Sequence, residues 1–155
     1  MKTFARRIQC GLTVLALLPG ASLAGDRDAK TDLIAVSSRM VKMYVSSTPH
    51  NAGDTDGQFI EDEVIPAVHE VVVRGGAQLT KAQYLAALDF IIASKPLASE
   101  GVSDIAAALY LPQKARLCSS IAAFSQSRRK IVLDQVRSGL AAAGRPLPRV
   151  ICNSK

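Results

Sequence analysis

The sequence predicts an all-α fold: a single compact domain of five or six helices whose C-terminal pair forms a hairpin stapled by one disulfide. Three observations lead there. Apolar residues recur at three- and four-residue spacing through most of the chain, the period of a helix with one buried face. Helix start and stop signals punctuate that pattern, from Thr80-Lys81-Ala82-Gln83 to Gly144-Arg145-Pro146. Cys118 and Cys152, the two cysteines beyond the N-terminal region, bracket the most basic part of the chain.

Residues 1–24 have the layout of a secretory signal peptide. Lys2, Arg6 and Arg7 come without an acid, an apolar run follows from Cys10 to Leu18, and small residues lead to Ala24. The run is well short of the ~20 residues a spanning helix needs. The expectation is a chain exported to the periplasm or secreted, with no transmembrane segment and with residues 25–155 as one helical domain. Taking 24 from 155 leaves 131 residues, enough for a core of ordinary size. The 19 Lys and Arg fall by those three to 16, against 13 Asp and Glu, so the net charge is +3. That charge is unevenly placed. Residues 25–110 hold 7 basic and 12 acidic groups, whereas residues 111–155 hold 9 basic groups and one acid, Asp134. Either the halves neutralise each other on folding or the second half presents a basic face to an anionic partner.

Between residues 30 and 46, Leu33, Val36, Met40 and Tyr44 share a helical face, with Ile34, Val41 and Val45 beside them. Met40, Met43 and Tyr44 form a stripe that a ligand could use, but core packing is the simpler account. Thr48-Pro49 ends this helix, and His50 to Gly57 is rich in turn residues. Phe59 to Val73 carries a helical stripe, Ile60, Val64, Ala67, Val68 and Val71, interrupted by Pro66. Proline is costly inside a helix and welcome in its first turn, so the helix either kinks at Pro66 or begins near it. A strand is the alternative, without an evident pairing partner. Gly75-Gly76 stops the element. Thr80 and Gln83 then form a capping box for a helix whose expected buried face is Leu85, Leu88, Ile91 and Ile92. Ser103 to Leu111 reads as a short Ala-rich helix capped by Ser103, with Pro112 behind it.

From Gln113 to Phe124 the apolar set is Leu117, Cys118, Ile121, Ala122 and Phe124; from Lys130 to Ala143 it is Val132, Leu133, Val136 and Leu140. An exported chain with two cysteines is expected to pair them rather than keep free thiols. A Cys118–Cys152 bridge would contribute roughly 3–4 kcal/mol by restricting the unfolded chain. One straight helix from Cys118 to Ala143 would be ~37 Å long. The nine residues back to Cys152 reach ~30 Å at full stretch, so the bridge requires a bend, expected at Ser125 to Arg129.

Three sets of residues carry candidate chemistry. Asp54-x-Asp56-Gly57-x5-Glu63 resembles part of the EF-hand calcium loop, in which alternate carboxylates and a distant bidentate glutamate converge on the ion. Ala52 stands where that loop has its first ligand, and the same acids would equally suit a turn and an acidic first helical turn. Calcium is therefore an alternative to a protein without a cofactor. Lys114, Arg116, Arg128, Arg129, Lys130 and Arg137 form the candidate partner-binding face. Export and the low aromatic content disfavour nucleic acid as that partner and favour a protein or an anionic envelope component. No catalytic residue is assigned. The two histidines, His50 and His69, stand apart from any nucleophile or metal spacing, and a small hydrolase using the acids at 61–63 is the remaining enzymatic alternative. The expected role is binding by protein–protein or envelope contact, as in inhibitors, immunity proteins, chaperones and secretion accessories. Oligomeric state is not legible in the sequence.

Overall fold

The computed structural model describes residues 23–47 and 55–152, apart from the side chains of 23–28, 30 and 31. All of the regular structure among them is helical. Helix α1 is Leu23–Ser46. Helix α2 is the continuous run 55–75, made of α-helical Thr55–Phe59, π-helical Ile60–Val64 and α-helical Ile65–Gly75. Then come α3 Lys81–Ala93, α4 Glu100–Tyr110, α5 Lys114–Ala122 and α6 Gln126–Ala142. Single 3-10 turns at Gly76–Gln78 and Lys95–Leu97 link neighbours. No helix among the described residues is long and apolar enough to cross a membrane.

Pro66 is absorbed inside α2 by the π segment in front of it. In a regular helix its ring would press on the carbonyl four residues back. Here the turn widens, the Ile65 N–H bonds to the Ile60 carbonyl, and Pro66 falls in the first turn of the α-helical segment that follows. The element is thus one helix with a local widening. It also begins earlier than the turn composition of His50 to Gly57 predicts, since Thr55 to Gly57 are already helical.

Helix α4 is the centre of the fold, packing on α6, on the second half of α2 and on α3. It is buried nearly all round, through Val102, Ser103, Ile105, Ala106, Ala107, Leu109 and Tyr110. Its small residues let α6 come close. A Cβ placed on Gly139 would stand 2.1 Å from the Ser103 carbonyl oxygen and 2.9 Å from the Ala107 Cβ. The Ser103 hydroxyl crosses the same interface to Gln135 Oε1 at 2.5 Å. Ser103 is therefore a buried packing residue, and the N-cap position falls four residues earlier on Ser99, whose hydroxyl bonds Glu61 Oε2 at 2.7 Å.

The capping box at Thr80 forms as expected: the Thr80 hydroxyl accepts from the Gln83 N–H and the Gln83 amide oxygen accepts from the Thr80 N–H. The buried side of α3 is Tyr84, Ala87, Leu88, Phe90 and Ile91, with Leu85 37 % exposed. Aromatic Tyr84 and Phe90 take the inner positions that an aliphatic count assigns to Leu85 and Ile92. Burial pushes the Tyr84 phenol up to about 12, opposed by the Arg116 guanidinium stacked 4.3 Å above its ring.

Helix α1 seats on α3 through the edge of the expected apolar face rather than through its centre, with Tyr44 and Val45 partly buried against the core. Ile34 and Val41 are fully buried beside Ser37 and Ser38, whereas Leu33, Val36 and Met40 are 37–42 % exposed. Lys42 bonds Asp89 Oδ2 of α3 at 2.7 Å, tying α1 to α3 in that rotation. The expected bend near the C-terminus is present but displaced. Ser125 caps α6 by accepting from the Arg128 N–H, so the turn is Ala123 to Ser125 and the basic residues after it are helical. At the other end Gly144, at φ 63°, closes α6 through Gly144 N–H to Ala141 and Arg145 N–H to Leu140. The tail then returns, Ile151 is buried, and the Cys118 and Cys152 sulfurs stand at disulfide distance with Cα atoms 5.4 Å apart.

Candidate protein-binding site

Most of the basic residues expected at a partner face are engaged within the chain. Arg116 donates to the Leu79 carbonyl at 2.9 Å and to Gln113 Oε1 at 3.0 Å, fastening the start of α3 to the start of α5. Arg128 stacks 4.7 Å over the Phe124 ring and pairs with Asp89 at 3.3 Å. Arg129 donates to the Ala122 carbonyl at 2.8 Å, one of the carbonyls left open at the end of α5. Lys130 and Arg137 both pair with Asp134 on α6 itself. Arg128 and Arg129 in the first turn of α6, with Lys130 just after it, oppose its dipole. The Asp89 carboxylate and the α5 carbonyl end beside them offset that cost. Lys114 is exposed in the first turn of α5. These residues belong to two clusters, one around Arg116 and one along α6, rather than to one continuous patch.

The calcium-loop residues are not brought together. Asp54 lies outside the described residues. Asp56 and Glu63 stand on the single helical run of α2, seven residues apart, which is about 10 Å along its axis. A bidentate glutamate and its companion ligands have to meet at 2.3–2.6 Å from one ion. Among the described residues no group of three His, Cys, Asp or Glu side chains is placed to hold a metal.

The feature that sequence reasoning assigned to the core is the one the structure leaves open. Along α1, Leu33, Val36, Met40 and Met43 form a three-four-three stripe, exposed by 41, 42, 37 and 71 %. At its C-terminal end, between α1 and the start of α2, lies a pocket of ≈ 360 Å³ lined by Met40, Met43, Tyr44, Ser47, Asp56, Phe59 and Ile60. Gly57 lets α2 start against α1, since a Cβ there would fall 2.5 Å from the Tyr44 hydroxyl. Phe59, 43 % exposed, forms the far wall. A signal for this was present in the sequence: α1 carries more apolar residues than one buried face uses.

Fold and surface together define a small all-α protein with a disulfide-tied C-terminal hairpin and an open apolar face. Comparison with protein-family models, with curated proteins and with solved structures returns no match for the chain.

Proposed function

We propose that the chain is a small exported helical protein, periplasmic or secreted, that acts by protein–protein contact through the exposed face of α1 and not by catalysis. The observation that carries this reading is the stripe Leu33, Val36, Met40 and Met43 running into the Phe59 pocket. A contiguous apolar surface of this kind is costly to leave in water and typically marks an interaction site. Methionines suit it, because their unbranched, polarizable side chains adapt to a partner's shape. The charges of the second half support the reading indirectly: Arg116, Arg128 and Arg129 are engaged between helices, and Lys130 and Arg137 are paired within α6.

Site-specific photo-crosslinking in the expressing cell tests it. A crosslinker at Met43 or Val36 should join the chain to a polypeptide, while one at exposed Ala141 should not. Adducts that are absent at both stripe positions, or equally abundant at Ala141, would overturn the assignment of this face. The export part of the reading predicts that protein recovered from the periplasm or medium begins at Gly25, as read by intact mass.

A further inference from the structure

The stripe on α1 has the spacing of a coiled-coil seam, with Leu33 and Met40 opening successive seven-residue repeats and Val36 and Met43 filling the second seam position of each. Along one edge of that seam stand two exposed charges of opposite sign, Asp32 immediately before Leu33 and Arg39 immediately before Met40. The other edge is Ser37, buried against the body of the protein, and Tyr44.

We infer that the partner of this face is a second copy of the chain, docked with its α1 antiparallel to the first about a two-fold axis close to residues 34–36. This rests on the reading of the α1 face as a protein-binding surface and names its occupant. The charges select the arrangement. In an antiparallel pair the charged edge of one seam lies beside the same edge of the other, so Asp32 meets the second copy's Arg39 and Arg39 meets the second copy's Asp32. In a parallel pair that edge would face Ser37 and Tyr44, which offer no charge. At the same register Leu33 packs against the second copy's Val36, and Met40 against its Ala29, an exposed small residue that leaves room for the longer side chain. Such an interface is isologous, each contact occurring twice, and it closes on itself without propagating.

Sedimentation equilibrium of the full chain, expressed with its own N-terminal segment and purified as processed, reads the association directly. The protein should sediment as a dimer and Val36→Glu as a monomer that keeps its helical content and still unfolds cooperatively, at a midpoint no longer dependent on protein concentration. Arg39→Asp, which sets two acids against two acids, should weaken the dimer on the order of tenfold or more at low salt. Asp32→Arg combined with Arg39→Asp should restore it, because reversing both partners recreates each pair. A monomer at all concentrations, or a dimer indifferent to Val36→Glu, would overturn the proposal. A dimer weakened by Arg39→Asp but not restored by the double reversal would overturn the antiparallel register. A monomer that still crosslinks through Met43 to a different polypeptide would leave the protein-binding reading standing and remove only the second copy.

Discussion

Asp89 and Arg128 tie the acidic half of the chain to its basic half. The Arg128 guanidinium lies 3.3 Å from Asp89 Oδ1 while Lys42 holds Oδ2 at 2.7 Å, so a single carboxylate joins α1, α3 and α6. Arg128, a residue expected to face a partner, thus has a structural use, and its stack on Phe124 holds it over the α5–α6 turn.

Arg128→Glu should therefore destabilise the protein modestly, since it replaces an attraction with a like charge beside Asp89. Both groups are well exposed, side chains 45 and 38 %, so the pair itself is worth roughly 0.2–1 kcal/mol. Urea unfolding of Arg128→Ala, Asp89→Ala and the double variant should give a coupling energy in that range that shrinks in high salt. Zero coupling at low salt would show the pair to be incidental.

Gly139→Ala should be costlier than an exposed glycine-to-alanine change, which ordinarily stabilises a helix. The added methyl meets the Ser103 backbone carbonyl at 2.1 Å, so α4 and α6 have to separate. A loss of about 1–3 kcal/mol is expected. Alanine at exposed position Ser138 of the same helix serves as the control, and a neutral or stabilising Gly139→Ala would disprove the close approach.

The Cys118–Cys152 pair is predicted to be oxidised in protein purified without reductant. Alkylation before reduction should add no label to either residue, and reduction should lower stability by roughly 2–4 kcal/mol. The tail from Gly144 to Cys152 is pinned by the bridge and by buried Ile151, so Cys152→Ser should expose that tail to proteases before the rest of the fold. Two labels without reductant would remove the bridge.

Calcium at about 10 mM, on the order of ten times the weak extracellular range, should leave the thermal midpoint unchanged. The reason is the helical placement of Asp56 and Glu63, about 10 Å apart along α2. A shift abolished by Asp56→Ala and Glu63→Ala would mean that the start of α2 unwinds to form a loop around the ion.

The residue order alone determined the features that depend on neighbours along the chain. The 3.6-residue period, the Thr80–Gln83 box and the Gly144 stop are local, and so were the helical class and most helix positions; the length argument on Cys118 and Cys152 likewise required a hairpin. Tertiary structure decided whatever depended on distance in space. Period cannot choose among the apolar residues of α1, and the structure buries Ile34 and Val41 against α3, on the side where Lys42 meets Asp89. Pro66 could be placed in a helix only once the π turn before it was known. Arg128 looked free because Asp89, 39 residues away, is invisible to a local reading, and Arg129 because its acceptor is the Ala122 carbonyl across the turn, whereas the Lys130–Asp134 pair, four residues apart on α6, was legible. The exposed stripe of α1 came from distance in space as well: side chains that a one-face helix would bury are left in water when packing uses the edge of that face.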